Sequence, residues 1–458
     1  MITNAFMVPH PPLAVAEVGR GSEKEIQKTL DSYDEIARRI AAVKPETIVI
    51  TSPHALLYRD WFNLSGGSEA YGDFGRFRAS SVRFHVRYDS EFVSLLEKTC
   101  RMDGFPCGTQ YDRDPDLDHG VMVPLYFVNR YYTDYKLVRI GLSGFPLSMH
   151  YELGQYIART AEALGRRTVF IGSGDLSHCL KKDGPYGYRP SGPEYDERIM
   201  KTMSSGNFKE LFDYDPAFLD DCMECGHRSF VIMAGAMDGK DVQIHIGSHE
   251  SITGVGYGLV SYDIQGENPD RLFLQSWLKE EEKRLEQYRN DSDGFVKLAY
   301  QAVDAWVKEK RRIKEDGDLA KTPAAGVFVS IHKFHELRGC IGTLRPTKKS
   351  MAQEIIANGI SASSRDPRFD AITADELPYL EITVDELGVP ETISDTGMLD
   401  VKKYGVICTD PEGRCGVLLP DLEGVDTVDK QLEIACRKGG FILDEDTVIQ
   451  RFEVVRHV

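Results

Sequence analysis

The chain reads as an α/β domain followed by an α+β domain. The first has a central, mostly parallel sheet flanked by helices, and the second is built from short strands and turns. Three observations predict this. Apolar, β-forming runs alternate with helical stretches from the start to about Gly266. Three of those runs, Phe6-Met7-Val8-Pro9-His10, Ile48 to His54 and Val169 to His178, end within a few residues in a histidine. Ligand-facing residues take that position at the carboxyl ends of strands in an open α/β sheet. Finally, 458 residues exceed one ordinary core, so two domains are expected.

In chain order, strands are expected at residues 3–8, 46–51, 137–141, 167–171, 242–246 and 255–262. Helices are expected over Glu23–Val43, where apolar residues recur at helical spacing, and over Tyr151–Leu164, before the Gly165-Arg166-Arg167 break. Residues 64–87, rich in Gly, Ser, Phe and Arg, read as a substrate-side loop entering an edge strand. A charged helix from Asn268 to about Arg289, containing Lys279-Glu280-Glu281-Glu282-Lys283-Arg284, reads as a solvated helical face that joins two domains. Beyond it, Gly294–Ile313 places Phe295, Leu298, Ala299, Ala302, Ala305 and Trp306 on one helical side. Short strands follow at Gly326–Ile331, Glu381–Val384, Gly405–Thr409 and Gly416–Leu419. The expected division is a metal-binding domain over 1–266, a linker helix over 267–289 and an α+β domain over 290–458.

Hydrophobic content of 41% and charged content of 28% belong to a globular protein. A net charge of −17 argues against nucleic acid or an anionic membrane as the main partner. The start Met1-Ile2-Thr3-Asn4 lacks the basic residues of a signal peptide, and no run is long enough to span a bilayer. Nine scattered cysteines, an odd number, fit a reduced cytoplasmic setting better than a disulfide framework. Cys222 and Cys225 form a lone C-x-x-C without the second pair that a structural zinc site needs.

The chemistry sits in the first domain. Pro9 and Pro11 fix the backbone on both sides of His10, and Pro53 precedes His54, which pre-orients two neutral metal ligands. A third, acidic or thiol, ligand is expected later in the chain, and Glu224-Cys225 is the place for it. Two histidines and a carboxylate suit non-haem ferrous iron, and the same set can hold zinc for hydrolysis. His119 and His178 remain for proton transfer, or for bonding loop carbonyls.

Val8-Pro9-His10-Pro11-Pro12, Ser52-Pro53-His54, Gly72-Asp73-Phe74-Gly75, Asp118-His119-Gly120 with Val123-Pro124-Leu125, and Asp175-Leu176-Ser177-His178 together resemble the class III extradiol dioxygenase superfamily. This is the LigB-like group, which also contains the Memo proteins, and the likeness covers residues 1 to about 265. It implies Fe(II) on His10 and His54, His178 as the acid/base residue and His119 as a second catalytic histidine beside a small aromatic substrate. It implies Glu224 as third ligand if the site is dioxygenase-like. The Memo-like motif Cys-Gly-x-Arg, matched by Cys225-Gly226-His227-Arg228, implies Cys225 instead.

In the second domain, Leu337-Arg338-Gly339-Cys340-Ile341-Gly342 and Ser363-Ser364-Arg365-Asp366-Pro367-Arg368-Phe369 resemble the AMMECR family over about 290–458. Cys340 reads either as a nucleophile or as a small buried apolar residue. The pairing of the two domains is similar to the AmmeMemoRadiSam system, which implies a radical S-adenosylmethionine enzyme as partner. Two functions follow as expectations. One is an iron-dependent oxidoreductase acting on a catecholic or other phenolic substrate with dioxygen. The other is a redox-metal-binding partner protein without ring cleavage.

Overall fold

A computed structural model describes residues 1–109, 116–422 and 424–458, which form two compact units, Met1–Lys279 and Glu280–Val458. The sheet of the first unit contains β1 (Ile2–Val8), β2 (Thr47–Ser52), β5 (Lys136–Gly141), β6 (Thr168–Ser173), β7 (Lys240–Glu250) and β8 (Tyr257–Glu267). Their order is β5-β2-β6-β1-β8-β7, parallel through β1 and antiparallel from β8 onward. All six lie where the sequence predicts strands.

Helices α1 (Gln27–Val43), α2 (Ser90–Met102), α3 (His119–Val128), α4 (Leu147–Ala163), α5 (Ser191–Ser205), α6 (Pro216–Cys222) and α7 (His227–Gly235) surround this sheet. Phe6, Val8, Ile48, Ile50, Val169 and Ile171 pack with Tyr33, Ile36 and Ile40 of α1 and Val121 and Leu125 of α3. Residues of the opposite parity meet α7, where Met233 packs against Gly172. Both faces are therefore covered, which is why β2 and β6 are buried along their whole length and read as unbroken apolar runs.

Two expectations are corrected. The predicted helix over Glu23–Val43 begins later, because Ser22–Ile26 is a 3-10 turn. The start of α1 is set by Glu250, whose carboxylate accepts from the Thr29 N–H and hydroxyl at 2.8 and 2.9 Å. Residues 64–87 do not enter an edge strand of the central sheet. They contain a separate hairpin of β3 (Glu69–Phe74) and β4 (Ala79–Arg87), which pair with each other.

Helix α8 (Phe273–Asp291) spans the division between units and is amphipathic, with one face buried. Trp277 stacks on Phe212 at 4.7 Å in the first unit, and Leu285 is buried in the second. The second unit is an antiparallel sheet with β9 (Gly326–Lys333), β10 (Glu336–Thr343), β11 (Leu380–Leu387), β12 (Tyr404–Thr409), β13 (Cys415–Leu418) and β14 (Val448–His457). Its order is β10-β9-β11-β14-β12-β13, with a two-residue strand at Glu391–Thr392 on β14. Helices α9 (Gly294–Glu309) and α10 (Met351–Ser364) cover Val327, Val329, Ile331 and Ile382, while α11 (Val428–Gly439) covers Val406 and Cys408. Among the described residues no helix is long and apolar enough to cross a membrane.

Candidate metal centre

The parallel strands deliver their carboxyl ends to one crevice. His10 follows β1, His54 follows β2, and Ser173, Asp175 and His178 end or follow β6. His10 is buried and held on two sides: its N–H donates to Asp175 Oδ1 at 2.7 Å, and its Nδ1 lies 2.9 Å from Ser173 Oγ. The Ser173 hydroxyl spends its own proton on the Gly120 carbonyl at 2.6 Å, so it must accept from Nδ1–H. That fixes the tautomer and leaves a bare Nε2 facing the crevice. Tyr33 completes the support, its hydroxyl donating to the Pro9 carbonyl and its ring stacked on Phe127 at 4.2 Å.

His54 and His119 stand opposite this nitrogen. Nε2 of His54 is 3.0 Å from Nε2 of His10, and the His119 ring stacks on His54 with centroids 4.0 Å apart. His119 begins α3, whose N-cap is Asp118, with Oδ1 accepting from Val121 N–H at 3.2 Å and from Ser52 Oγ at 2.5 Å. Burial pushes His10 and His119 down to about 3 and lowers His54 as well, so the rings stay neutral and available as donors.

Among the described residues two groups of donors share His10: His10, His54 and His119 form one, and His10, Asp175 and Cys225 the other. Cys225 Sγ is 3.7 Å from His10 Nε2 and accepts from the Asp175 N–H at 3.2 Å. The turn that carries it packs hard against the exit from β6, since a Cβ on Gly174 would lie 2.0 Å from the Gly226 Cα. Burial, and then the carboxylate of Asp175, push the Cys225 thiol up, so a thiolate there requires a cation beside it.

Glu224 belongs to neither group. Its Oε2 accepts from His227 N–H at 2.5 Å at the start of α7, and burial pushes its carboxyl up to about 7. The segment is a turn rather than a strand: Met223 is left-handed, with φ 54, and ends α6. Cys222 is also apart, its thiol donating to the Leu219 carbonyl at 3.2 Å, so the C-x-x-C pair shares no site.

His178 is oriented by the turn before α7. Its Nδ1 lies 2.5 Å from the Met223 carbonyl, which can only accept, so Nδ1 carries the proton and Nε2 is bare. Asp175 Oδ2 stands 4.0 Å from that Nε2. Sequence motifs mark Asp175 without revealing this role, because its contacts are made to the backbone of His10 and the sulfur of Cys225. Arg139 was not marked at all. It is buried at 2% exposure and pairs with Asp118 at 3.2 Å, and an arginine inside an apolar strand is the signal that exposes it.

Beside His54 and His119 opens a cavity of about 460 Å³, lined also by Arg76 and Phe77 from the β3–β4 turn and by Met122 and Arg139. Its size suits a small organic molecule, given the roughly 300–1,000 Å³ of typical ligand sites. Phe77 meets His119 edge-on at 5.4 Å.

In the second unit the two sequence motifs buttress each other. Cys340 lies in β10, the edge strand, and its outward N–H donates to Asp366 Oδ2 at 2.9 Å while its carbonyl accepts from Arg368 at 3.1 Å. Arg338 is bidentate on Glu376 at 2.9 and 3.0 Å. The Cys340 sulfur is half-buried and accepts from Ser330 Oγ at 3.2 Å.

The family model described as the catalytic LigB subunit of aromatic ring-opening dioxygenase matches residues 4–260, and the AMMECR1 model matches residues 296–457. A protein of Clostridium acetobutylicum is 38% identical over 463 residues, covering 99% of this chain and 98% of the relative. A Thermotoga maritima protein is 44% identical over 168 residues, covering 36% of this chain and 96% of its own length. The 2-aminophenol 1,6-dioxygenase beta subunit of a Pseudomonas species is 24% identical over 298 residues, covering 57% of this chain and 94% of the subunit.

Two outcomes are expected. Gly174→Ala should destabilise the first unit by about 2 kcal/mol in chemical unfolding, as overpacking does. Gly266→Ala, whose Cβ would meet nothing within 4 Å, should stay within about 0.5 kcal/mol. Folded Glu224 keeps its proton to about 7 whereas the unfolded carboxyl loses it near 4.5, so this residue makes stability fall as pH rises through that window. Metal-free Glu224→Gln should therefore gain on wild type in Tm between pH 5 and pH 7, and a constant difference would refute the assignment.

Proposed function

Because the chain belongs to the LigB family of aromatic ring-opening dioxygenase subunits, with an AMMECR1 domain after it, we propose that its first unit is an iron-dependent site for a phenolic substrate. We assign as donors His10, which both groups share, with His54 from one group and Cys225 from the other, and seat an ortho-diphenol or ortho-aminophenol in the cavity beside His54 and His119. The observation that carries this reading is the 3.0 Å separation of the two Nε2 atoms. Around an ion with bonds of about 2.1 Å, nitrogens at a right angle stand roughly 3 Å apart. The 3.7 Å from sulfur to His10 suits bonds of about 2.1 and 2.3 Å at a near-tetrahedral angle. Zinc fits the same donors.

When bound, iron supplies a Lewis acid for phenolic oxygen and a redox partner for dioxygen. The protein's own contribution is positional. Ser173 holds the His10 ring and Asp175 its backbone N–H, and the Met223 carbonyl keeps the Nδ1 proton of His178. The bare Nε2 then takes a phenolic proton, and Asp175 supports the imidazolium that results. His119 and Phe77 wall the cavity.

A second reading, a metal-binding partner of a radical S-adenosylmethionine enzyme without ring cleavage, is favoured by one feature. It is the sulfur of Cys225, rather than a glutamate carboxylate, that stands with His10.

Metal content after anaerobic loading tests the donors. Cys225→Ser should weaken iron binding at least tenfold while Glu224→Gln keeps it, and the reverse would overturn the assignment. His178→Ala should keep iron and lose catechol turnover by roughly 10²-fold or more, the scale of acid–base catalysis. Iron binding without oxygen uptake on any diphenol would favour the partner reading.

A further inference from the structure

His54 and His10 are steered by bonds that meet at the start of α3. The His54 N–H donates to Ser52 Oγ at 3.2 Å, and that hydroxyl donates to Asp118 Oδ1 at 2.5 Å. Two residues on, the Gly120 carbonyl accepts from Ser173 Oγ at 2.6 Å, the hydroxyl that takes the Nδ1 proton of His10. Ser52 and Ser173 are both fully buried, so neither hydroxyl can turn to water instead. Gly120 leaves the space for this junction, since a Cβ there would lie 2.3 Å from Ser52 Oγ and 2.9 Å from Asp118 Oδ1. Both histidines therefore take their aim from residues 118–120.

That turn is held by Arg139, which reaches it from β5. The guanidinium pairs with Asp118 Oδ2 at 3.2 Å, and its Nη1 donates to the Asp116 carbonyl at 2.9 Å. One planar cation thus clasps the chain on both sides of Leu117 as it enters the helix. The pair is nearly out of solvent, with 3% of the arginine side chain and 12% of the aspartate exposed. The Asp118 carboxylate accepts from a hydroxyl and from the Val121 N–H, and Arg139 supplies the counter-charge that those neutral donors do not.

We propose that Arg139 is a positioning residue for the metal site: by clasping Asp116 and Asp118 it fixes the head of α3, and through Ser52 and Ser173 the two histidines. This rests on the reading of His10 and His54 as metal donors. Arg139 also lines the cavity beside His54 and His119, so the rival role is a direct contact with substrate. The two roles part when substrate is absent, because only positioning then reaches the metal.

The test loads full-length protein anaerobically with Co(II), which takes the same nitrogen and sulfur donors and reports their geometry in its visible absorption. Groups behind metal ligands are worth about 10–100-fold in affinity, so Arg139→Met should weaken Co(II) binding on that scale and shift the visible bands. Arg139→Lys, which keeps the charge without the two-point clasp, should recover part of the affinity. Removing one member of a buried pair strands the other, so a second variant removes both charges. Asp118→Asn with Arg139→Met should bind Co(II) no more weakly than Asp118→Asn alone, as expected if Arg139 acts through Asp118. In metal-free protein, Ser52→Ala should speed exchange of the His54 amide by about tenfold or more. Unchanged Co(II) affinity and bands in Arg139→Met, or a double variant weaker than Asp118→Asn, would overturn the proposal, and an unchanged His54 amide would break its link through Ser52. Normal Co(II) binding with weakened catechol binding would give Arg139 to the substrate instead. His54→Ala separates the two readings: bands that survive it refute His54 as a donor, whereas bands altered there but kept in Arg139→Met refute the positioning alone.

Discussion

The candidate site depends on how Asp175 is bonded. Its carboxylate takes the His10 N–H, its own N–H reaches the sulfur of Cys225, and its second carboxylate oxygen faces His178. One residue thus joins the end of β1, the exit from β6 and the turn before α7. That arrangement is tolerated only because the backbones of Gly174 and Gly226 lie in contact: a Cβ on Gly174 would run into Gly226, and one on Gly226 into the Phe230 ring. Packing and polar bonding are interlocked here: the close approach brings the sulfur to the amide, and the amide then orients the sulfur.

Much of this was legible before any coordinates. The six strands of the first unit announce themselves as apolar runs because both sheet faces are covered, and buried strands have no polar face to confuse the reading. His10 and His54 were legible because proline fixes their backbone at strand ends. What escaped was non-local. The start of α1 is capped by Glu250, 221 residues away, and no local signal exists for that. The hairpin over residues 69–87 pairs with itself, a choice between partners that β-propensity does not encode. Asp175 acts through a main-chain N–H.

The choice between Glu224 and Cys225 shows the same limit more sharply. Alternation along a strand would have put one of them on the metal side, but the segment is a turn. Its geometry lets Glu224 cap α7 with its carboxylate while the next residue faces His10. In the second unit, by contrast, the two motifs that stood apart in sequence turn out to be one device. Asp366 and Arg368 satisfy the outward N–H and carbonyl of Cys340 on an edge strand, which fixes the thiol's position and closes that edge to further pairing.

Met223 places a trade-off at a single residue. A methionine in the left-handed region costs of order 1 kcal/mol, and that cost is borne by the peptide whose carbonyl orients His178. A glycine would adopt this conformation freely but would also sample many others, loosening the carbonyl it presents. Selection for a more robust fold and selection for a well-aimed imidazole therefore pull in opposite directions on the same pair of backbone angles. Met223 takes the strained conformation at the point where durability is exchanged for aim.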